Sequence, residues 1–100
     1  MSEKFEIIFL PEAVSELENI YKYISENSFS EKTANKVIID IDKAISYIKT
    51  FPYMYPMSVF DGYRKCIVKN YVVFYRVDEI AKEAIIVHVF HGAQDIENLF

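Results

Sequence analysis

The sequence predicts a two-layer α+β fold in which an N-terminal strand and an antiparallel helical hairpin precede a three-stranded antiparallel meander. Apolar residues recur at helical spacing over residues 10–24 and 34–48. Short runs rich in β-branched and aromatic residues occupy 4–10, 63–69, 71–78 and 84–91. Each helix has one apolar face that a sheet must cover, and 100 residues suffice for a single domain spanning 1–100.

Prolines and capping residues set the bounds of the predicted helices. Pro11 suits the first helical position, because an amide there would be unpaired in any case. The first helix should end near Glu26–Asn27. Ser28 and Glu31 fit a capping box, which predicts the start of the second helix. That helix should stop by Phe51, because the residue before a proline disfavours helical geometry.

The second half of the chain should form a loop and then the meander. Residues 51–62 contain two prolines and end in Asp-Gly, which predicts a loop with room for one short extended piece. Lys69-Asn70 fits a two-residue turn that places Val68 opposite Tyr71. One face of the strands then consists of Arg64, Cys66, Val68, Tyr71, Val73, Tyr75 and Val77. The other consists of Tyr63, Lys65, Ile67, Lys69, Val72, Phe74 and Arg76; since it collects three cations, we expect it to be the solvated or target-facing side.

Composition narrows the classes of function. The formal net charge of -4 argues against generic nucleic-acid binding, which requires clustered Lys and Arg. No apolar run approaches the roughly 20 residues of a membrane span, and the N-terminus does not resemble a signal peptide. Cys66 is the single cysteine, which excludes an intramolecular disulfide and suits a reducing compartment, so we expect a cytoplasmic protein. No recognised zinc-ligand spacing is present, and we expect no cofactor.

The order of the elements and several short patterns resemble the RelE/ParE toxin superfamily, which includes plasmid-stabilisation toxins. The residues that carry the resemblance are Tyr63-Arg64, then 70–78 (NYVVFYRVD), and then 87–96 (VHVFHGAQDI). The resemblance implies the toxin of a type II toxin–antitoxin system, which a cognate antitoxin binds and neutralises in a hetero-oligomer. It also implies one of two targets: DNA gyrase, inhibited without hydrolytic chemistry, or messenger RNA, cleaved in the ribosomal A site.

Two positions depart from the RelE-like pattern. RelE-like members place an arginine where this sequence has Val72, and the expected arginine of the last segment is Gln94. Metal-free RNA cleavage needs groups that activate the 2′-hydroxyl and stabilise a charged phosphorane. The departures therefore favour ParE-like inhibition of a target such as DNA gyrase. A ribosome-dependent endoribonuclease, and a degenerate toxin that retains only antitoxin binding, stay open as alternatives.

Four residues are candidates for target binding or catalysis: Arg64, Tyr75, Arg76 and His91. The planar guanidinium groups bind phosphate or an acidic protein surface, unless each arginine simply pairs with a local acid. A histidine side chain suits acid–base chemistry, so His91 is a candidate general acid or base, unless it is an ordinary residue of its strand. Tyr75 suits the stacking of bases, unless it belongs to the core.

Large apolar side chains crowd the loop between the second helix and the meander. They are Phe51, Tyr53, Met54, Tyr55, Met57 and Phe60. Together they exceed what a surface loop normally exposes. The segment either folds over the helices or forms part of an antitoxin groove.

Overall fold

The computed structural model describes residues 4–27, 31–92, 94 and 96–100. Its elements are β1 Glu6–Phe9, α1 Pro11–Asn27, α2 Glu31–Thr50, β2 Arg64–Val68, β3 Tyr71–Asp78, β4 Glu83–His91 and α3 Ile96–Leu99. The predicted α+β fold class, with its two long helices between the first strand and the meander, is confirmed. The sequence did not predict the short helix α3. Ser28, the predicted cap of α2, lies outside the described residues.

The strands form one sheet in the order β1-β4-β3-β2. β1 runs parallel to β4, and the other neighbouring strands are antiparallel. Val68 lies opposite Tyr71, which confirms the predicted two-residue turn. Lys69 in this turn has a φ of 54°, the positive sign that tight hairpin turns require at their first position. β1 pairs only with the first half of β4 and ends with Phe9 opposite Ile86.

The main core lies between the two long helices and one face of the sheet. Its buried residues are Ala13, Ile41, Ile45, Ile48, Cys66, Tyr71, Val73, Tyr75, Ala84, Ile86 and Val89. The three isoleucines of α2 follow the helical spacing that predicted this face, and burying each contributes roughly 1.5–3 kcal/mol. Among the described helices, none is both long and apolar enough to cross a membrane.

The opposite face of the sheet, predicted from its cations to be the solvated or target-facing side, is not solvated at its centre. A second buried cluster, separate from the main core, lies on this face and consists of Phe74, Ile85, Val87 and Phe90. Phe74 is only 3% exposed. Phe60 from the loop and Phe100 from the C-terminal segment cover this cluster, with their rings stacked 4.1 Å apart. Arg76 on the same face is exposed, as expected of a solvated position. Solvation was wrongly predicted for the centre of the face because the prediction did not place the loop or the C-terminal segment against this side of the sheet.

Candidate interaction site

A groove runs between α1 and the last residues of β4. It arises because β1 ends at Phe9, where the chain turns into α1, so the end of β4 pairs with β3 on one side and has no described strand on the other. The groove has a volume of about 610 Å³. Its lining residues are Glu16, Asn19, Ile20, Tyr23, Tyr71, Val89, Phe90, His91, Gln94 and Leu99. Tyr23 is 66% exposed in this lining, and an uncovered aromatic ring beside a concave surface is typical of a protein-binding site.

Two side chains close the free edge of β4 along the α1–β4 groove. The amide of Val89 donates a hydrogen bond to Glu16 Oε1 at 3.0 Å, and the amide of His91 donates one to Gln94 Oε1 at 2.6 Å. Glu16 Oε2 also lies 3.1 Å from His88 Nδ1. An unpaired backbone amide in this position would cost about 1–3 kcal/mol, so these oxygens act in place of a neighbouring strand.

Gln94 and Val72, the two positions that depart from the RelE-like pattern, lie in different parts of the structure. Gln94 closes the edge of β4. Val72 lies on the outer face of the sheet, in a hollow of about 240 Å³ that it shares with Val59 and Ile67. Among the described residues, no three His, Cys, Asp or Glu side chains come together as metal ligands.

Arg64 fastens the loop that follows α2. Its guanidinium donates a hydrogen bond to the carbonyl oxygen of Tyr55 at 2.8 Å and lies 5.1 Å from the centroid of the Tyr53 ring. A planar guanidinium makes such contacts in a fixed geometry, so Arg64 positions the loop against the start of β2.

Tyr75 is a buried core residue. It is 0% exposed, and its hydroxyl donates a hydrogen bond to the carbonyl oxygen of Pro52 at 2.7 Å. Burial raises the pKa of Tyr75 to about 12, and burial likewise raises the pKa of the neighbouring Tyr55 to about 12. Both hydroxyls therefore stay protonated at neutral pH and are poor candidates for a general base.

The four candidate residues do not form one cluster. Arg64 and Tyr75 are directly paired across β2 and β3. Arg76 is the next residue of β3, so its side chain points to the opposite face. His91 lies opposite Tyr71, which is four residues from Tyr75 and hence roughly 13 Å away along the strand. Its ring packs edge-to-face against Tyr71, with 5.3 Å between the centroids, and it lines the α1–β4 groove.

The apolar loop residues divide between the core and the surface. Tyr55 packs edge-to-face on Tyr75, and Phe60 packs edge-to-face on Phe74. The apolar loop side chains that remain exposed are Phe51, Tyr53, Met54, Met57 and Val59. The segment therefore folds partly over the sheet and leaves five apolar side chains at the surface.

A comparison with protein families identifies the family to which the chain belongs. Residues 7–96 match the family described as the ParE toxin of the type II toxin–antitoxin system parDE. Because the match covers most of the sequence, the chain belongs to the ParE toxin family, and it is a type II toxin. No curated protein sequence is significantly similar to it.

Three solved structures with the same fold are described as toxin–antitoxin systems or complexes. The chromosomal ParDE system of P. aeruginosa contains a chain with 18% identity and a TM-score of 0.78, matched over 90% of this chain and 98% of that one. A chain of the RelBE2 toxin–antitoxin complex of Mycobacterium tuberculosis has 16% identity and a TM-score of 0.65, matched over 94% of this chain and 98% of that one. A chain of the RelB–RelE antitoxin–toxin complex of Methanococcus jannaschii has 16% identity and a TM-score of 0.55, matched over 93% of this chain and 98% of that one. At these identities the likeness establishes the shared fold.

Proposed function

We propose that a cognate antitoxin holds this toxin inactive by binding in the α1–β4 groove, and that the free toxin inhibits a cellular target such as DNA gyrase without cleaving RNA. Membership of the ParE toxin family over residues 7–96 is the observation that carries the proposal. Solved proteins of this fold occur in complexes with antitoxins, which supports an antitoxin partner and a hetero-oligomer. In this proposal the toxin acts in the cytoplasm, where gyrase is found.

The shape and chemistry of the α1–β4 groove support a protein partner. Ile20, Tyr23 and Leu99 supply apolar surface, while Glu16 and Gln94 add polar side chains to the lining. An apolar surface with a few fixed polar groups suits the apolar face of an amphipathic helix. Antitoxin binding here would cover the exposed ring of Tyr23.

The dispersal of the candidate residues supports inhibition rather than RNA cleavage. An RNase needs its acid, base and cations around one phosphate. Here Arg64 is engaged with the Tyr55 carbonyl, Tyr75 is buried, and Arg76 and His91 lie on different parts of the sheet. A large protein target tolerates such a spread, because a protein interface extends over many residues.

Two assays test the proposal. Tyr23→Ala should weaken binding of the antitoxin by about tenfold or more, as expected for an aromatic anchor, whereas the matched control Tyr47→Ala on α2 should not. The purified toxin should inhibit supercoiling by DNA gyrase and leave ribosome-bound messenger RNA intact. Equal affinities for the two variants would place the antitoxin elsewhere, and messenger RNA cleavage without gyrase inhibition would replace the proposed target with the RelE-like one.

A further inference from the structure

One wall of the α1–β4 groove carries an acidic residue on each side of its apolar centre. The residues of α1 that line the groove recur at spacings of three and four positions, so they share one face of the helix. They are Glu16, Asn19, Ile20 and Tyr23. Glu12 lies four positions before Glu16, and Glu26 lies three positions after Tyr23, so both continue this face beyond the groove. Both are exposed, which leaves their carboxylates accessible to a chain that fills the groove.

No lysine or arginine opposes these carboxylates within the groove. Neither residue type occurs among its described lining residues, and none of the ion pairs in the described part of the chain includes Glu12 or Glu26. Lys22, the one cation of α1, lies six positions after Glu16, which places it roughly a third of a turn away around the helix. The carboxylate of Glu16 already accepts a hydrogen bond from the amide of Val89, so Glu12 and Glu26 are the charges that a partner meets.

Most cations of the toxin lie on elements that do not line the groove. α1 packs on β4 beside the groove and carries four acids and one lysine. α2, β2 and the turn that follows β2 contribute no described residue to the lining, and together they carry three acids and seven cations. These cations are Lys32, Lys36, Lys43, Lys49, Arg64, Lys65 and Lys69. The groove side of the toxin therefore attracts a cationic chain and repels an acidic one.

We propose that the antitoxin segment in the α1–β4 groove is a cationic amphipathic helix. Its apolar face covers Ile20 and Tyr23, and its lysine or arginine side chains lie against Glu12 and Glu26. From Glu12 to Glu26 α1 rises about 21 Å at roughly 1.5 Å per residue, so the cations of a helix lying alongside it stand roughly four turns apart. The proposal rests on the proposed function, because it takes the antitoxin as the partner, and it deepens that function by stating the charge of the bound segment.

Removing the two carboxylates tests the charge of the partner. The variant Glu12→Gln/Glu26→Gln keeps the shape of both side chains and lowers the negative charge beside the groove. The matched control Glu18→Gln/Asp42→Asn removes the same charge elsewhere, because Glu18 lies roughly half a turn around α1 from Glu16 and Asp42 is exposed on α2.

The antitoxin encoded beside the toxin gene serves as the probe in calorimetric titration at about 50 mM salt, where surface charges are weakly screened. Far-ultraviolet circular dichroism verifies that both double variants fold. Glu12→Gln/Glu26→Gln should weaken binding by about fivefold, and the control by less than about twofold, since two exposed ion pairs are lost only in the first.

The salt dependence of the wild-type affinity gives an answer that does not depend on a variant. From about 50 mM to about 500 mM salt the affinity should fall several-fold, and the two double variants should become nearly equal, because salt screens exposed charges. A wild-type affinity that is constant or rises with salt, or equal losses in the two variants, would refute a cationic segment.

The proposed function has its own test, because it depends on the Tyr23→Ala variant rather than on charge. If Tyr23→Ala loses affinity while charge and salt have no effect, the cationic helix is refuted and the proposed function stands. If the wild-type toxin does not bind the antitoxin at all, the proposed function itself fails. Light scattering of the free toxin should show a monomer. A dimer that Glu12→Gln/Glu26→Gln dissociates would assign the groove to a second copy and overturn the proposal.

Discussion

The role of Tyr75 is determined by its surroundings in the fold. From the sequence, its aromatic ring fits both a stacking surface for bases and a core position. The structure buries the ring under the helices and ties its hydroxyl to the Pro52 carbonyl. The ring therefore stabilises the junction between the sheet and the loop that follows α2.

Removing the Tyr75 hydroxyl should destabilise the fold. Tyr75→Phe leaves the Pro52 carbonyl without its donor in a buried position, which should lower the free energy of unfolding by about 1–2 kcal/mol. Tyr53→Phe is the matched control, because Tyr53 is 52% exposed and its hydroxyl bonds to the surface residue Glu79. Urea unfolding of the variants measures both values. Equal losses in the two variants would contradict the importance of the buried bond.

Glu16 shows what sequence reasoning misses at the same scale. An acid in the second turn of a helix predicts only a solvated side chain that complements the helix dipole. Its partners, His88 and the amide of Val89, are more than 70 positions away in sequence. The role of this carboxylate depends on where β1 ends, because that point determines how much of β4 has no partner strand on this side. The sequence alone does not show this point.

At the scale of elements, the helices and the hairpin were predictable because local patterns encode them. Helical spacing gave α1 and α2, and the two-residue turn gave the register of β2 against β3. The parallel pairing of β1 with β4 was not predicted, since a strand pattern does not state which strand lies beside it. The four residues of α3 are too few to show a helical period.

The turn between β2 and β3 is linked to α2 by an ion pair. Lys69 Nζ lies 2.9 Å from a carboxylate oxygen of Asp40, and this contact, opposed by partial desolvation, lowers the pKa of Asp40 below its ordinary value of 3.8. A lowered pKa in the folded state means that the pair stabilises the fold above the ordinary value. That contribution disappears as the pH falls through the lowered value.

Lys69→Met should therefore change the acid stability of the toxin. At about pH 6 the variant should be less stable than the wild type, and the difference should vanish by about pH 2, where Asp40 is protonated in both. Urea unfolding at the two pH values measures the difference. Lys43→Met on α2 is the control, because its charge contributes least to the lowered pKa of Asp40. A difference that stays constant with pH would show that the Asp40–Lys69 pair does not stabilise the fold.

At the scale of the whole molecule, the sheet is covered on both faces. The helices cover the inner face, and the loop and C-terminal segment cover the outer face. The second covering was not predicted because its aromatic contacts join residues far apart in sequence: Phe100 packs on Phe60, Tyr63 and Phe74. The candidate site residues Arg64 and His91 are also far apart in sequence. For this reason the candidates could be named from the sequence, but their distances from one another in the fold could not be predicted.

The outer cluster should depend on Phe100. Phe100→Ala removes a ring that stacks on Phe60 and contacts Phe74, and the free energy of unfolding should fall by about 2 kcal/mol, less than for a fully buried phenylalanine. Leu99→Ala is the control, because Leu99 is half exposed on the short helix α3 and should cost well under half as much. Guanidinium unfolding measures both. A loss in Phe100→Ala no larger than in Leu99→Ala would contradict the outer core.

The central claim is that this type II toxin inhibits a target such as DNA gyrase rather than cutting messenger RNA. The most direct measurement is pulse-labelling of DNA and protein synthesis in the first minutes after the toxin is induced in a bacterial host, with and without the antitoxin. We expect DNA synthesis to fall first while translation continues, and the antitoxin to prevent the fall. An immediate collapse of protein synthesis with DNA synthesis intact would contradict the claim.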